Sequence, residues 1–220
     1  MKYPKLLILG ASGSTGRQLT RQALDKGYSV TVLIRPGADY EPPAGVNVIK
    51  GEVLDPDTLT KAMAGQDAVL SCLGIRKKLP ASPWTGLLSP KDFCEASARV
   101  IVQAMENSGL QRLIAVGVAG ANESFGQIDG ATRLMIRFST LATTVADGGR
   151  MEDVFAQSGL DWLVLRPVRL VDGPTTGRAR RLEKGRASDK IARADVAAWM
   201  LDALERDGGF QSRTEMIGWG

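Results

Sequence analysis

A seven-residue turn constrains this chain more than anything else in it. The aliphatic run Lys5–Leu9 leads directly into Gly10-Ala11-Ser12-Gly13-Ser14-Thr15-Gly16, after which Leu19, Ala23 and Leu24 recur at helical spacing across residues 17–26. A strand, a glycine turn and a helix in immediate succession make a loose glycine motif informative. The backbone turns tightly at Gly10 and Gly13, free amides and a helix amino terminus face outward, and the missing side chain at Gly16 lets helix and strand approach. A diphosphate satisfies such a concavity, and Ser12, Ser14 and Thr15 add hydroxyl donors.

Beyond the turn the two periodicities keep alternating. Residues 28–34 are rich in β-branched side chains and read as a strand, as do 46–50. Residues 56–64 read as a helix with Pro56 at its start, and 67–73 as a near-continuous apolar strand. After a Pro- and Trp-containing loop over 77–90, residues 91–107 give the longest helical pattern. Phe93, Ser97, Val100, Ile101, Ala104 and Met105 share one face of it, and Gly109 is placed as a terminator. Residues 111–118 are the next expected strand, 125–145 are mixed and read as a helix, and a second helix is expected over 149–157. A sixth strand over 160–166 stops at Pro167, a helix covers 194–204 and a short strand lies near 214–217. No internal repeat or low-complexity linker divides the chain. The pattern predicts a single α/β domain over 1–220, a Rossmann-like doubly wound parallel sheet with ligands beyond the carboxyl ends of its strands, where the winding reverses.

Composition removes several chemistries. The chain has no histidine, which excludes a Ser-His-Asp triad, a Cys-His pair and a histidine-rich metal site. Cys72 and Cys94 lie too far apart for a Cys-x-x-Cys pair, so a structural role is expected over a redox one. The start MKYPKLLILG has an apolar stretch too short for a signal-peptide core, and no apolar run is long enough to span a bilayer. A cytoplasmic protein without a membrane span is expected. The formal charge of +4 is concentrated at Arg178, Arg180, Arg181, Lys184 and Arg186. With no aromatic residues interleaved and no helix-turn-helix or RNA-binding signature, that run reads as a solvated loop or edge rather than a nucleic-acid footprint.

The residue closing the second strand checks the turn independently. NAD-selective folds place an acidic side chain there to accept from the ribose hydroxyls, whereas this chain has Leu33-Ile34-Arg35, and a guanidinium suits a 2′-phosphate. NADP(H) is therefore the expected cofactor, with Asp39 too far into the next loop to serve as an acidic replacement. The plainer alternative for Arg35 is a solvent-facing strand end.

With that turn and Arg35, the segments Gly51-Glu52-Val53-Leu54-Asp55, Gly65-Gln66-Asp67-Ala68-Val69 and Asp172-Gly173-Pro174-Thr175-Thr176-Gly177 carry a family resemblance. The chain resembles the atypical short-chain dehydrogenase/reductase group of NAD(P)H-binding, NmrA-like proteins, in particular its biliverdin-IXβ reductase/flavin reductase branch. The likeness covers nearly the whole chain; its first motif is common to many families and its second half is more particular. It implies an adenine site lined by Glu52 and Val53 and a nicotinamide-side wall at Leu73, Gly74 and Arg76. Further cofactor contacts are implied at Val116 and from Pro167 to Arg169.

Conventional short-chain dehydrogenases use a tyrosine with a lysine four residues later, because the cation lowers the phenol pKa. Here Tyr3, Tyr28 and Tyr40 are followed four positions on by Leu7, Val32 and Ala44. Alcohol/ketone chemistry by that device is not expected, and no residue is assigned a catalytic role. An epimerase or lyase is disfavoured because no acid/base pair is visible. A planar conjugated acceptor (a flavin, quinone or bilin-like molecule) escapes the need, since it can take hydride from a nicotinamide and its proton from water. The serine that the resembling reductases carry at the end of the fifth strand is a valine within Val116-Gly117-Val118-Ala119, and the histidine of their Pro-Pro-His-like segment is Arg169. The expected function is NADPH-dependent reduction of such an acceptor, with an NADP(H)-binding regulatory or sensor protein without turnover as the alternative. Arg76, Arg169 and Arg150 are candidates to anchor an anionic substrate, each with an ion pair as the plain alternative, which Glu152 and Asp153 favour for Arg150. Trp84 can stack on a planar ring or anchor its own loop.

Overall fold

The computed structural model describes residues 3–79, 82–210 and 214–219. The first third runs β1 (Lys5–Leu9), α1 (Ser14–Asp25), β2 (Ser29–Ile34), β3 (Asn47–Lys50), α2 (Pro56–Met63) and β4 (Ala68–Ser71). Then come α3 (Phe93–Ser108), β5 (Arg112–Val116), a 3-10 turn (Asn122–Gln127), α4 (Gly130–Arg137), α5 (Leu141–Ala156) and β6 (Asp161–Pro167). Three short strands, β7 (Arg169–Val171), β8 (Ala179–Arg181) and β9 (Lys190–Ala192), precede α6 (Arg193–Leu204) and β10 (Thr214–Trp219).

Eight strands form one sheet in the order β3-β2-β1-β4-β5-β6-β10-β8, with every pair parallel except β10 and β8, while β7 and β9 pair separately. The chain starts centrally at β1, winds outward through β2 and β3, and returns to the other side of β1 for β4, β5 and β6. This is the doubly wound Rossmann-like topology, and its switch point lies between β1 and β4. Alternation along β1 builds both layers. Leu6 and Ile8 join Leu19 of α1 and Met200 of α6 in one cluster, while Leu7 and Leu9 join Leu59 of α2, Ile101 of α3 and Phe155 of α5 in the other. Helices on both faces explain why β1 after Lys5 is apolar without interruption.

Most boundaries lie within two residues of those expected, and the departures have physical causes. The first helix begins at Ser14 rather than residue 17, because Arg17 N already donates to Gly13 O at 2.9 Å, so the helix starts inside the glycine turn. The segment expected as one helix over 125–145 and a second from 149 divides elsewhere. The 3-10 turn and α4 come first, the break falls between Arg137 and Leu141, and α5 runs straight through Gly148 and Gly149. A Cβ at Gly149 would stand 2.6 Å from Asn122 Oδ1 and one at Gly148 3.0 Å from Val118 Cγ1, so close packing rather than a helix end requires these glycines. The basic run around Arg180 becomes β8, the open edge of the sheet, in keeping with its reading as a solvated edge.

Glu215 clamps β10 to its surroundings. Its buried carboxylate accepts from Arg206 Nη1 and Arg181 Nη2 at 2.6 Å and from Trp199 Nε1 at 2.8 Å. Burial opposes ionisation, but the bonds from Arg206, Trp199 and Arg181 prevail and hold this carboxyl below its ordinary value. A carboxyl lowered by folding stabilises the folded state above its unfolded value of 4.5 and loses that contribution as pH falls through the folded value. Glu215→Gln is expected to destabilise the protein at neutral pH by roughly 1–3 kcal/mol and to flatten the acid limb of the stability curve. Urea unfolding across the acid range checks this; an unchanged limb would remove Glu215 from its cause.

Candidate dinucleotide-binding site

The switch point is built almost entirely from backbone. Gly10 adopts φ +77°, and a Cβ there would stand 2.8 Å from the carbonyl carbon of Cys72, the residue after β4. Gly13 N donates to Gly10 O at 3.0 Å, which closes the turn. A Cβ at Gly16 would stand 2.2 Å from Gly10 O, so only glycine lets α1 rise directly off the turn. The helix has Gly13 as its N-cap, no side-chain cap and no acid in its first turn. Its first amides therefore keep their hydrogens and the positive end of the helix dipole for a ligand. Ser14 is exposed beside them, and Ser12 and Thr15 are half-buried.

Arg35 follows β2 directly and is exposed. It lines a half-open cleft of about 550 Å³ together with Tyr40, Glu41, Val48 and Lys50. Arg17 fastens this cleft to the turn: its guanidinium donates to Ser12 O at 3.0 Å and Asp39 O at 2.5 Å and stacks 4.6 Å from the centre of the Tyr40 ring. The Tyr40 hydroxyl is buried without a hydrogen-bond partner among the described residues. Two cations, an orphaned hydroxyl and uncapped helix amides fit a phosphorylated dinucleotide. Sequence reading missed Lys50, Tyr40 and Arg17. Only Arg17, next to the last glycine, carried a local signal.

The other residues singled out lie along the same carboxyl edge. Glu52 and Val53 follow β3, Leu73, Gly74 and Arg76 follow β4, Val116 ends β5, Pro167 ends β6 and Arg169 opens β7. Arg76 and Arg169 are exposed, and among the described residues neither guanidinium has a carboxylate within ion-pair distance. Arg150 does: its guanidinium donates to Glu95 at 2.6 Å and Asp147 at 3.4 Å, so its ion pairs run to α3 and along α5 rather than to Glu152 and Asp153. Trp84 is 68% exposed, with its indole N–H donating to Phe138 O at 3.1 Å. The Asp172–Gly177 motif docks elsewhere, on α6 and α1: buried Asp195 accepts from Thr176 N at 2.7 Å and Gly177 N at 3.1 Å, and Gln22 reaches Thr175 at 3.2 Å.

Two ionisable groups near the edge, buried Glu152 and half-buried Cys72, are engaged elsewhere, the Cys72 thiol with Met200 Sδ at 3.9 Å. Glu152 lies 3.4 Å from where a side chain at Gly117 would begin. Its carboxylate receives Arg166 Nε at 2.8 Å and Nη2 at 2.6 Å, and Asn122 at 3.1 Å. Burial pushes its pKa up while Arg166 pulls it back, with the net direction upward. A carboxylate held by a bidentate guanidinium positions β6 against α5 and is a poor proton donor. Burial pushes the Cys72 thiol up to about 12, which leaves no thiolate at neutral pH. Among the described residues no acidic or cysteine cluster could hold a metal ion, and no helix is long and apolar enough to cross a membrane.

Such a turn at the switch point of a doubly wound sheet, with a cation beside it, defines a nicotinamide-dinucleotide-binding Rossmann protein. The chain belongs to the NAD(P)H-binding family, whose model matches residues 10–207. It is 26% identical over 125 residues to the photosystem II assembly factor Ycf39 of Synechocystis sp., covering 54% of this chain and 35% of that protein. The chain thus spans about a third of that relative's length. Among solved structures it is similar to ChuY, an anaerobillin reductase from Escherichia coli O157:H7, with TM-score 0.74 and 22% identity over 96% of this chain and 95% of that one. It is also similar to a short-chain dehydrogenase/reductase from Veillonella parvula DSM 2008 in complex with NADP, with TM-score 0.77 and 20% identity over 98% and 94% of the two chains.

Gly16→Ala is expected to push α1 off the turn. Calorimetry should show dinucleotide affinity falling at least about tenfold, and urea unfolding a loss of roughly 1–3 kcal/mol. A Gly16→Ala variant that binds as tightly as the wild type would show that the close approach is not what presents the amides.

Proposed function

We propose that the protein is an NADPH-dependent reductase that passes hydride to a planar conjugated acceptor, a flavin or quinone ahead of a linear tetrapyrrole. The observation that carries this reading is the chemistry of the nicotinamide-side strand ends. Leu73, Gly74, Val116 and Gly117 present no acid or base beside a complete diphosphate turn. A carbonyl or hydroxyl substrate needs a positioned proton donor, whereas a conjugated ring does not. NADPH, when bound, supplies the hydride.

The chain's own contribution is alignment. The amides of α1 with Ser12, Ser14 and Thr15 hold the diphosphate, and Glu52 and Val53 border the adenine. Arg35 and Lys50 meet the 2′-phosphate, with the Tyr40 hydroxyl as a further donor. Leu73, Gly74, Val116 and the segment from Pro167 to Arg169 bound the nicotinamide, and the open space beside Gly74 leaves room for two stacked rings. Arg76 and Arg169, both exposed, are the guanidiniums we assign to an anionic acceptor, and Trp84 offers an indole face to a planar one. A second reading, an NADP(H)-binding sensor or assembly factor without turnover, is favoured by the missing Tyr-Lys pair and by the likeness to a relative named as an assembly factor.

Purified protein mixed with NADPH and FMN, riboflavin or a benzoquinone is expected to oxidise NADPH with at least one acceptor, followed at the nicotinamide absorbance band. Arg35→Ala should raise the Kd for NADPH about tenfold or more while leaving that for NADH within about twofold. Equal effects on both nucleotides would remove the 2′-phosphate assignment. Tight binding without oxidation across the panel would favour the sensor.

A further inference from the structure

The rim beyond β4 and β5 carries an exposed apolar and basic surface that reaches well past Arg76 and Trp84, the two of its residues that border the proposed acceptor site. In the loop after β4, Lys77 pairs with Leu87, Lys78 N donates to Gly86 O at 3.0 Å and Leu79 N donates to Thr85 Oγ1 at 3.2 Å. The loop is fastened to the corner between α4 and α5, where Trp84 Nε1 donates to Phe138 O at 3.1 Å and Thr140 Oγ1 donates to Pro83 O at 2.7 Å. On this joined rim Leu79, Trp84, Leu134 and Phe138 are 64%, 68%, 61% and 69% exposed.

Helix α4 turns its apolar side chains outward. Ile136 is its buried residue, packed beside Gly120, while Leu134 and Phe138 share one solvent-facing stripe at i, i+4 spacing. Exposed Arg133 and Arg137 form the adjoining stripe at the same spacing. Residues 74–91 and 130–146 together hold six cations, Arg76, Lys77, Lys78, Lys91, Arg133 and Arg137, and no carboxylate, in a chain whose formal charge is only +4. Among the described residues none of the six is in an ion pair.

Aromatic and leucine side chains exposed among unpaired cations match the chemistry of an anionic bilayer surface. The rings and leucines enter the acyl boundary while the cations meet lipid phosphates. A second copy of this chain would bring the same excess of cations to the contact, which opposes self-pairing. We propose that this rim docks the protein peripherally on an anionic membrane, with the loops around the carboxyl edge of the sheet facing the lipid. Docking of this kind does not depend on turnover, so it is independent of the reductase reading.

Sedimentation with vesicles of phosphatidylcholine alone, and of phosphatidylcholine with phosphatidylglycerol, tests the proposal on the full chain. Binding is expected to the anionic vesicles only, to weaken as salt rises above about 0.1 M, and to shift tryptophan emission to the blue unless Trp84 is replaced by Phe. Arg133→Glu with Arg137→Glu should weaken binding at least about tenfold, and so should Leu134→Ser with Phe138→Ser. Arg180→Glu with Lys184→Glu makes the same charge change at and beside β8 and should bind within about twofold of the wild type. All these positions are exposed, and unchanged urea unfolding and NADPH binding serve as controls. The proposal is overturned by no sedimentation with anionic vesicles, or by an equal loss from the β8-edge pair. A concentration-dependent dimer that Leu134→Ser with Phe138→Ser dissolves, without vesicle binding, would overturn it in favour of a second copy.

Discussion

Three backbone segments meet at the switch point with no side chain between them, and the candidate site depends on that contact. Gly10 passes close against Cys72 after β4, and Gly16 brings α1 down onto Gly10 O. Because α1 rises there without a spacer, its amino terminus points across the carboxyl ends of β1 and β4, at the place where the chain reverses its winding. Side chains on either glycine would lift the helix and re-aim its amides. The all-aliphatic faces of β1, packed into both layers, hold the strand that delivers the turn.

The buried charges of this protein do positioning. Asp147 on α5 caps α3 by accepting from Cys94 N and Glu95 N, Glu152 locks α5 to Arg166 of β6, and Glu215 ties β10 to α6 and β8. Each carboxylate has two or more donors, which is what makes a buried charge tolerable. The result is a rigid frame with its ionisable groups committed, and a mouth of small and apolar strand ends. That division suits a protein whose contribution is alignment of a bound cofactor.

The carboxyl edge also carries the least conventional surface. Trp84 and Thr140 join the loop after β4 to the corner after α4, so that two segments with cations and no acids become one rim. The opposite arrangement holds at β8, where Arg181 is paired with Glu215 and Arg178 lies over Trp219. Basic residues at the sheet edge are thus partly satisfied within the fold, while those of the rim, half-buried Lys77 apart, are exposed.

What the amino-acid sequence alone determined was local. The strand–turn–helix around Gly10 to Gly16, the parallel α/β alternation, the missing Tyr-Lys pair and the cation at Arg35 could all be read because they depend on neighbours within one or two turns of chain. What only the tertiary structure decided was pairing across distance. Lys50 and Tyr40 join Arg35 because β3 lies beside β2, Arg150 finds Glu95 on another helix, and Gly148 and Gly149 stay helical because Val118 and Asn122 press against them. Periodicity records which face of an element is apolar, but not which element it meets. Helix breaks set by packing, and polar partners more than fifty residues away, such as Asp147 for Cys94, therefore left no local trace.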